Sequence, residues 1–142
     1  MKNILVINGP NLNMLGVREP DIYVKETYEV FVSLIEEWAA ELDCQVECFQ
    51  SNHEGEIVDE IQEALGQFDG IVINPAAYTH TSVAILDALK AVGLPAVEVH
   101  ISDVHTREAF RQTSYAGLAC EAHFIGLGFA GYKKALEYLA AL

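Results

Sequence analysis

Short apolar segments alternate along this chain with longer segments in which apolar residues recur every three or four positions. The apolar segments have the length of buried strands and lie at residues 4–7, 46–49, 71–73, 96–99 and 124–127. Helical spacing is found at residues 28–42, 57–65, 83–89 and 132–139. Strands that alternate with helices form parallel sheets with both faces covered. The pattern therefore predicts an α/β protein.

Local signals refine these elements. Thr81 and Ser82 stand before the third helical segment, where a hydroxyl is able to cap it. A further short helix is predicted around Thr106–Arg111. Right-handed crossovers between five such strands predict a flavodoxin-like, doubly wound parallel sheet with helices on both faces, and 2-1-3-4-5 is the strand order expected for this class.

The connection between the first strand and the first helix is unusually long, at residues 9–25. It contains Gly9, Pro10, Gly16 and Pro20, whereas most strand-to-helix connections take a few residues. Because it follows the first strand, it lies at the carboxyl edge of the sheet, where open parallel sheets bind ligands. We expect an active-site lid at about 9–25 in a single catalytic domain, 1–142.

Composition narrows the possible partners and compartment. Lysine and arginine total 8 against 21 aspartates and glutamates, a formal charge of −13, which argues against nucleic acids and anionic membranes. The three arginines are Arg18, Arg107 and Arg111. Three cysteines without zinc-site spacing are expected to be reduced core thiols in a cytoplasmic protein. Hydrophobic residues make up 51%, which predicts a covered sheet and surface buried between subunits.

The segment Val97–Asp103 carries the clearest chemistry. Side chains alternate along a strand, so Glu98 and His100 share one face while Val97 and Val99 take the other. A carboxylate beside an imidazole is an arrangement for proton transfer. The sequence therefore predicts an acid–base site at the end of this strand.

Further polar residues follow other strands or lie in the long connection: Asn8, Asn11, Asn74, His80, Arg18 and Tyr23. Serine on a G-x-S-x-G turn is absent from the sequence, and no lysine ends a predicted strand, which disfavours nucleophilic and Schiff-base chemistry. Acid–base chemistry without a metal or cofactor is the prediction. A permanently charged Arg18 near Tyr23 would favour its phenolate.

Each of these residues also has an ordinary structural interpretation. Asparagines form turns, a lone tyrosine packs, and most arginines are solvated surface charges. His53, His105 and His123 are interpreted as structural. Their convergence on one edge of the sheet favours function for the others.

Several ordered segments resemble one family. They are Asn8-Gly9-Pro10-Asn11-Leu12-Asn13, Leu15-Gly16-Val17-Arg18-Glu19-Pro20 with Tyr23, Gln50-Ser51-Asn52-His53-Glu54-Gly55, Asn74-Pro75-Ala76-Ala77-Tyr78-Thr79-His80-Thr81-Ser82, Glu98-Val99-His100-Ile101-Ser102, and Gly126-Leu127-Gly128 with Gly131-Tyr132. Together they resemble type II 3-dehydroquinate dehydratase, over nearly the whole chain. The resemblance implies a hydro-lyase that eliminates water in the anti sense from 3-dehydroquinate, through an enolate and without cofactor, to give 3-dehydroshikimate. The family serves the shikimate pathway to chorismate and the aromatic amino acids.

The resemblance also implies roles for residues. Tyr23 would be the proton acceptor, and Arg18 would stabilise its phenolate and the transition state. Asn11 would help hold a water against the enolate oxygen. His100, oriented by Glu98, would be the proton donor.

Substrate binding and assembly follow from the same resemblance. The implied substrate ligands are Asn74, His80, Ile101, Ser102, Arg111 and, from a neighbouring subunit, Asp87. The implied assembly is a homododecamer, a tetramer of trimers.

Two positions depart from the family pattern, and other functions stay open. Val24 follows Tyr23 where the family has glycine, and Asp103 replaces asparagine beside the carboxylate pocket. A flavodoxin-like module that binds FMN would want hydroxyls after the first strand, and a phospho-receiver would need aspartate in place of Asn74. A catalytically silent homologue is a further alternative.

Overall fold

The computed structural model describes residues 1–17 and 26–142. Its strands are β1 (Lys2–Asn8), β2 (Cys44–Gln50), β3 (Gly70–Asn74), β4 (Ala96–His100) and β5 (Ala122–Ile125). Its α-helices are α1 (Tyr28–Glu41), α2 (Glu54–Glu63), α3 (Val83–Val92) and α4 (Ala130–Ala140). Short 3-10 helices lie at Leu12–Met14, Ala76–His80, Val104–Thr106, Ala109–Gln112 and Ala116–Ala119.

The strands form one parallel sheet in the order β2-β1-β3-β4-β5. The predicted fold class and strand order are confirmed. In this register Asn8 pairs with Asn74 across β1 and β3, and Glu98 pairs with His123 across β4 and β5. The strands therefore bring polar side chains from distant parts of the sequence into contact.

The core has two layers, one on each face of the sheet. Alternate β1 residues Ile4 and Val6 pack in the layer that contains α1 and α4, while Leu5 and Ile7 pack in the layer with α2 and α3. Val97 and Val99 belong to the first of these layers. Glu98 and His100 therefore share the other face, as predicted.

Hydroxyl caps begin two of the helices. Thr27 Oγ1 accepts a hydrogen bond of 3.3 Å from Val30 N at the start of α1, and Ser82 Oγ accepts one of 2.9 Å from Ile85 N at the start of α3. Such caps stabilise a helix by about 1 kcal/mol because they satisfy an unpaired N–H. The predicted cap of the third helix is confirmed at Ser82.

The fifth strand and the short helix are corrected. The strand was predicted at 124–127 but ends at Ile125, because Gly126 has φ +79° and a Cβ there would lie 2.9 Å from Cβ of Asp103. This is a turn that glycine permits at low cost. The helix predicted at Thr106–Arg111 is two 3-10 turns, separated at Arg107 by extended backbone.

Two apolar residues that the sequence placed on buried helix stripes are exposed. Leu65 is 60% exposed because α2 ends at Glu63, before the stripe reaches it. Val83 is half exposed because it opens α3, whose buried residues are Ile85, Leu86, Ala88 and Leu89.

The three cysteines are free thiols. Cys44 is buried, whereas Cys48 and Cys120 are half-buried at the edges of the two core layers. Burial, followed by nearby carboxylates, raises the pKa of Cys48 and of Cys120 to about 12. These thiols therefore stay protonated at neutral pH.

Among the residues that the structure describes, no helix is long and apolar enough to cross a membrane. The predicted lid is described only in part, as far as Val17 and again from Glu26. Arg18, Tyr23 and Val24 lie outside the described residues.

Candidate active site

A pocket opens at the carboxyl ends of β1, β3 and β4. It is lined by Pro10, Asn11, Leu12, Asn74, Ala76, Ala77, His80, His100, Ile101, Ser102, Val104, Arg107 and Arg111. The site residues predicted from the sequence that it brings together are Asn11, Asn74, His80, His100, Ile101, Ser102 and Arg111. This is the edge of the sheet at which α/β folds bind ligands.

Asn11 is held in an unusual backbone conformation. Its φ of 71° is in the left-handed region, which asparagine tolerates better than most residues. Its backbone N–H donates to Asn52 Oδ1 over 3.0 Å, and that oxygen also accepts from Gln50 Nε2 over 3.1 Å. The chain just before it runs close to β3, since a Cβ on Gly9 would lie 2.4 Å from Pro75 O. The loop therefore fixes Asn11 at the pocket.

Asn74 is fixed by a hydroxyl from α4. Its Nδ2 donates to the Tyr132 hydroxyl over 2.8 Å, and its Oδ1 accepts from Ala76 N over 3.0 Å. The same hydroxyl donates to Asn8 Oδ1 over 2.7 Å. Burial raises the pKa of Tyr132, so the phenol stays protonated and keeps this donor.

His100 and Glu98 form a buried acid–base pair. Nε2 of His100 lies 2.8 Å from Oε2 of Glu98, and the residues are 5% and 1% exposed. A carboxylate accepts hydrogen bonds, so Nε2 carries a proton. Nδ1 is therefore the ring nitrogen that His100 has left for a ligand in the pocket.

Glu98 is held as a carboxylate although it is buried. Oε2 also accepts from Thr79 Oγ1 over 3.0 Å and from Ser114 Oγ, while Oε1 lies 2.7 Å from His123 Nδ1. Burial by itself raises the pKa of Glu98, but hydrogen bonding and charge from His100, with the bonds from Ser114 and His123, lower it to about 2. The negative charge beside His100 therefore persists over the working pH range.

His80 presents a neutral ring. Nδ1 lies 2.7 Å from the carbonyl oxygen of Thr113, which only accepts, so Nδ1 carries the proton. Burial lowers the pKa of His80, an effect that the bond to Thr113 partly offsets and the charges of His100 and Arg111 reinforce. Nε2 of His80 is then an acceptor for a hydroxyl in the pocket.

Two arginines give the pocket positive charge. Arg111 was predicted, and its Nε donates to Glu108 Oε2 over 2.7 Å while its guanidinium lies 5.2 Å from the centre of the Phe110 ring. Arg107 also lines the pocket. Composition drew attention to Arg107, but the site predicted from the sequence did not include it. A helix over 106–111 would have placed the two arginines on successive turns, whereas extended backbone at Arg107 separates them.

The remaining predicted residues lie elsewhere. Glu98 stands behind His100, and Asp87 is exposed on α3, away from the lining of this pocket in the described ranges. Arg18 and Tyr23 lie outside the described residues. Asp103 is the N-cap of the turn Val104–Thr106, with Oδ1 accepting from His105 N over 3.0 Å.

Sequence reasoning missed the residues that support the site. Thr79, Ser114 and His123 all bond to Glu98, and Tyr132 bonds to Asn74. Their only sequence signal was that Thr79 and Tyr132 fall inside segments that resemble a family. Within the described part of the chain, no group of three or more histidines, cysteines or carboxylates is placed to hold a metal ion.

Comparison with known proteins covers nearly all of this chain. The family model described as "Dehydroquinase class II" matches residues 2–140. A catabolic 3-dehydroquinase of Aspergillus clavatus is 55% identical, with 98% of this chain and 93% of that protein covered. A 3-dehydroquinate dehydratase of Lachnospira eligens is 55% identical, with 98% and 96% covered. The crystal structure of a type II dehydroquinase from Butyrivibrio crossotus superposes with a TM-score of 0.95 at 52% identity, covering 97% of each chain.

Proposed function

The chain belongs to the class II dehydroquinase family, and we propose from that membership that it removes water from 3-dehydroquinate to give 3-dehydroshikimate, as a hydro-lyase of the shikimate pathway. The observation that carries the proposal is the buried His100–Glu98 pair, 2.8 Å apart, with His100 lining the pocket. This pair suits the protonation of a leaving hydroxide. Family membership removes the flavodoxin-like binding module as an explanation.

His100 is the general acid in this proposal. Its imidazolium donates the Nδ1 proton to the departing hydroxyl oxygen as the enolate re-forms the ketone. The enolate electron pair becomes the new carbon–carbon double bond, the carbon–oxygen bond breaks, and water leaves. The ring that remains is neutral and keeps its Nε2 proton, which is hydrogen-bonded to Glu98. The Glu98 carboxylate stabilises the charged ring before the step, because a negative charge within hydrogen-bond distance favours the imidazolium.

Tyr23 is the proposed base and Arg18 its partner. The phenolate takes the proton alpha to the ketone, and the electron pair moves onto the ketone oxygen to form the enolate. Asn11 holds a water against that oxygen. Tyr23 gains one proton and His100 loses one, so exchange with solvent must restore both before the next turnover.

The substrate carboxylate is expected where Ile101, Ser102 and Arg111 line the pocket, with Arg107 as a second cation. Opposite charge inside the pocket offsets the repulsion of an anion by a protein of formal charge −13. Asn74 and His80 offer an amide and an acceptor nitrogen to the ring hydroxyls. The lining therefore suits a small polyhydroxylated carboxylate.

We further propose the assembly and compartment that the family resemblance implies, a cytoplasmic homododecamer built from four trimers. Asp87 on α3 then completes a neighbouring subunit's site. In mixed trimers of Asp87→Ala and His100→Ala subunits, some sites lack neither group and should regain turnover. Native mass spectrometry establishes that the subunits have mixed, and no recovery in mixed trimers would remove Asp87 from the site.

The direct test adds purified protein to 3-dehydroquinate and follows the ultraviolet absorbance of the conjugated enone product. We expect a rise with the wild type and none with His100→Ala at the same concentration. Borohydride added with substrate should leave the protein mass unchanged, because the mechanism uses no lysine adduct. A folded protein that gives no absorbance change would be a catalytically silent homologue.

A further inference from the structure

The Glu98 carboxylate carries a second imidazole that the mechanism above does not use. Nδ1 of His123 lies 2.7 Å from Oε1 of Glu98, on the opposite oxygen from His100. Strand register creates the contact, because Glu98 and His123 are paired across β4 and β5. A carboxylate oxygen only accepts, so Nδ1 of His123 carries a proton.

The two oxygens of Glu98 accept hydrogen bonds from different numbers of side chains. Oε2 is within reach of two hydroxyls, of Thr79 and Ser114, as well as of His100. Those hydroxyls lie 2.8 Å apart and are able to donate to each other instead. In the described part of the chain, the side chain that bonds to Oε1 is His123. Gly117 closes the space beside this oxygen, since a Cβ there would lie 2.7 Å from Oε1.

We propose that His123 is a positioning residue for the His100 general acid: it fixes the Glu98 carboxylate through Oε1 and sets how much negative charge Glu98 offers to the His100 imidazolium. This inference rests on the proposed function. The hydrogen bond from His123 Nδ1 holds the carboxylate in place and draws part of its negative charge towards Oε1, away from His100.

The groups that surround His100, Glu98 and His123 are mostly neutral. From β4 and the short helix 76–80 they are His100 and the Thr79 hydroxyl, and from the following loop the Ser114 hydroxyl. Cys120 also faces Glu98, and burial with the Glu98 and Glu121 charges keeps it a thiol. The charges of His100 and Arg111 act on His80, whose ring is neutral. His123 is thus the titratable group that bonds directly to the same carboxylate as the acid.

Two variants separate the hydrogen bond from the charge. His123→Asn places an amide N–H near the position of Nδ1 and cannot become a cation, whereas His123→Leu removes the donor. We expect His123→Leu to lower kcat about tenfold with little change in KM, as for loss of one charge-assisted hydrogen bond. His123→Asn should keep kcat within about threefold of wild type.

The split between kcat and KM supplies a readout that a merely structural role would not move. His123→Leu should lower kcat at a KM close to that of wild type, because His123 acts on the acid and does not touch the substrate. His123→Asn, which keeps the donor to Oε1, should show neither change.

A spectroscopic measurement keeps the inference separate from the proposed function. In protein labelled with 15N-histidine, His100 should show its proton on Nε2 in wild type and His123→Asn, and a mixture of tautomers in His123→Leu. If wild type lacks dehydratase activity, the proposed function fails while this measurement still tests the contact. Unchanged kcat and unchanged His100 signals in His123→Leu would overturn the inference. Circular dichroism checks folding, and His123→Ala, which also removes the donor, carries the test if His123→Leu does not fold.

Discussion

Tyr132 on α4 and Asn74 at the end of β3 share a hydrogen bond of 2.8 Å, which runs from the Asn74 amide to the phenol oxygen inside the protein. The phenol O–H donates a hydrogen bond to Oδ1 of Asn8, at the end of the neighbouring strand. One hydroxyl therefore joins two strand ends to a helix on one face of the sheet. It also fixes the orientation of the Asn74 amide, which lines the pocket.

Tyr132→Phe should show this relationship directly. The ring still fills its site, but Asn8 and Asn74 each lose a buried partner, which typically costs about 1–3 kcal/mol of unfolding free energy. We expect KM for dehydroquinate to rise several-fold with a smaller change in kcat, because the proposed role of Asn74 is to bind the substrate and not to react with it. Urea unfolding and steady-state kinetics measure the two effects.

Tyr138→Phe is the matched control for this change. Its hydroxyl donates to Glu121 over 3.0 Å at the surface. Water is able to replace this hydrogen bond when it is lost. The control should stay within about 0.5 kcal/mol of wild type. Equal stability of Tyr132→Phe and the control would show that the buried phenol does not hold the strand ends.

Gly117→Ala should displace the Glu98 carboxylate that holds His100. The new methyl would lie 2.7 Å from Oε1 of Glu98 and 2.9 Å from Ser114 Oγ, so the carboxylate or the backbone must shift. We expect a loss of about 1–3 kcal/mol in stability and a fall in kcat. Both are measured on the same preparation, by denaturant titration and by the enone assay.

Gly55→Ala makes the same chemical change and should slightly stabilise the protein. Gly55 lies inside α2, and nothing stands within 4 Å of the added methyl. Alanine favours the helix over glycine by up to about 1 kcal/mol, so this variant should be slightly more stable and fully active. If both variants behaved alike, the crowding at Gly117 would not explain its effect.

The Glu98 carboxylate should make the free energy of unfolding depend on pH in the acid range. Its pKa falls from an ordinary 4.5 to about 2 in the folded protein, so the unfolded chain binds the proton first as pH drops. The stabilisation, on the order of 3 kcal/mol, is then fully present above about pH 4.5 and is lost as pH falls towards 2. Urea unfolding at pH 7 and pH 3 should show this loss in wild type.

Glu98→Gln should remove that acid dependence. The variant is less stable than wild type at pH 7, and the gap between them should narrow at pH 3. Glu37→Gln, on the exposed face of α1, should track wild type at both pH values, because solvent screens surface charges. A gap that stays constant with pH would mean that Glu98 is not the group that titrates.

The assignment of Tyr23 as the base comes from the family resemblance, since Tyr23 and Arg18 lie outside the described residues. Tyr23→Phe should reduce kcat at least about a hundredfold, the usual effect of losing a general base. Arg18→Lys should also reduce kcat, because a lysine does not reproduce an oriented guanidinium. Circular dichroism should be unchanged in both, and a Tyr23→Phe protein with near wild-type kcat would refute the assignment.

Sequence patterns predict the parts of this protein that depend on local geometry. Period two alone places Glu98 beside His100, and alternation of strands with helices predicts the parallel sheet. The strand order was only the one expected for this fold class. His123 depends instead on the register of β5 against β4, 25 positions from its partner. The predicted strand at 124–127 left His123 outside the sheet, so its contact with Glu98 was not predicted. Arg107 was missed because the substrate ligands were taken from the family resemblance, which implied Arg111 and not Arg107.

The position of β5 at the edge of the sheet has a kinetic consequence. It is the strand with the least buried pattern, paired on one side only, and edge elements open locally at lower free energy than interior strands. Opening β5 would separate His123 from Glu98 while β1, β3 and β4 keep Asn74 and His100 in place. Mild denaturant should then slow proton donation before it unfolds the protein, and amide exchange in β5 should rise over the same concentration range.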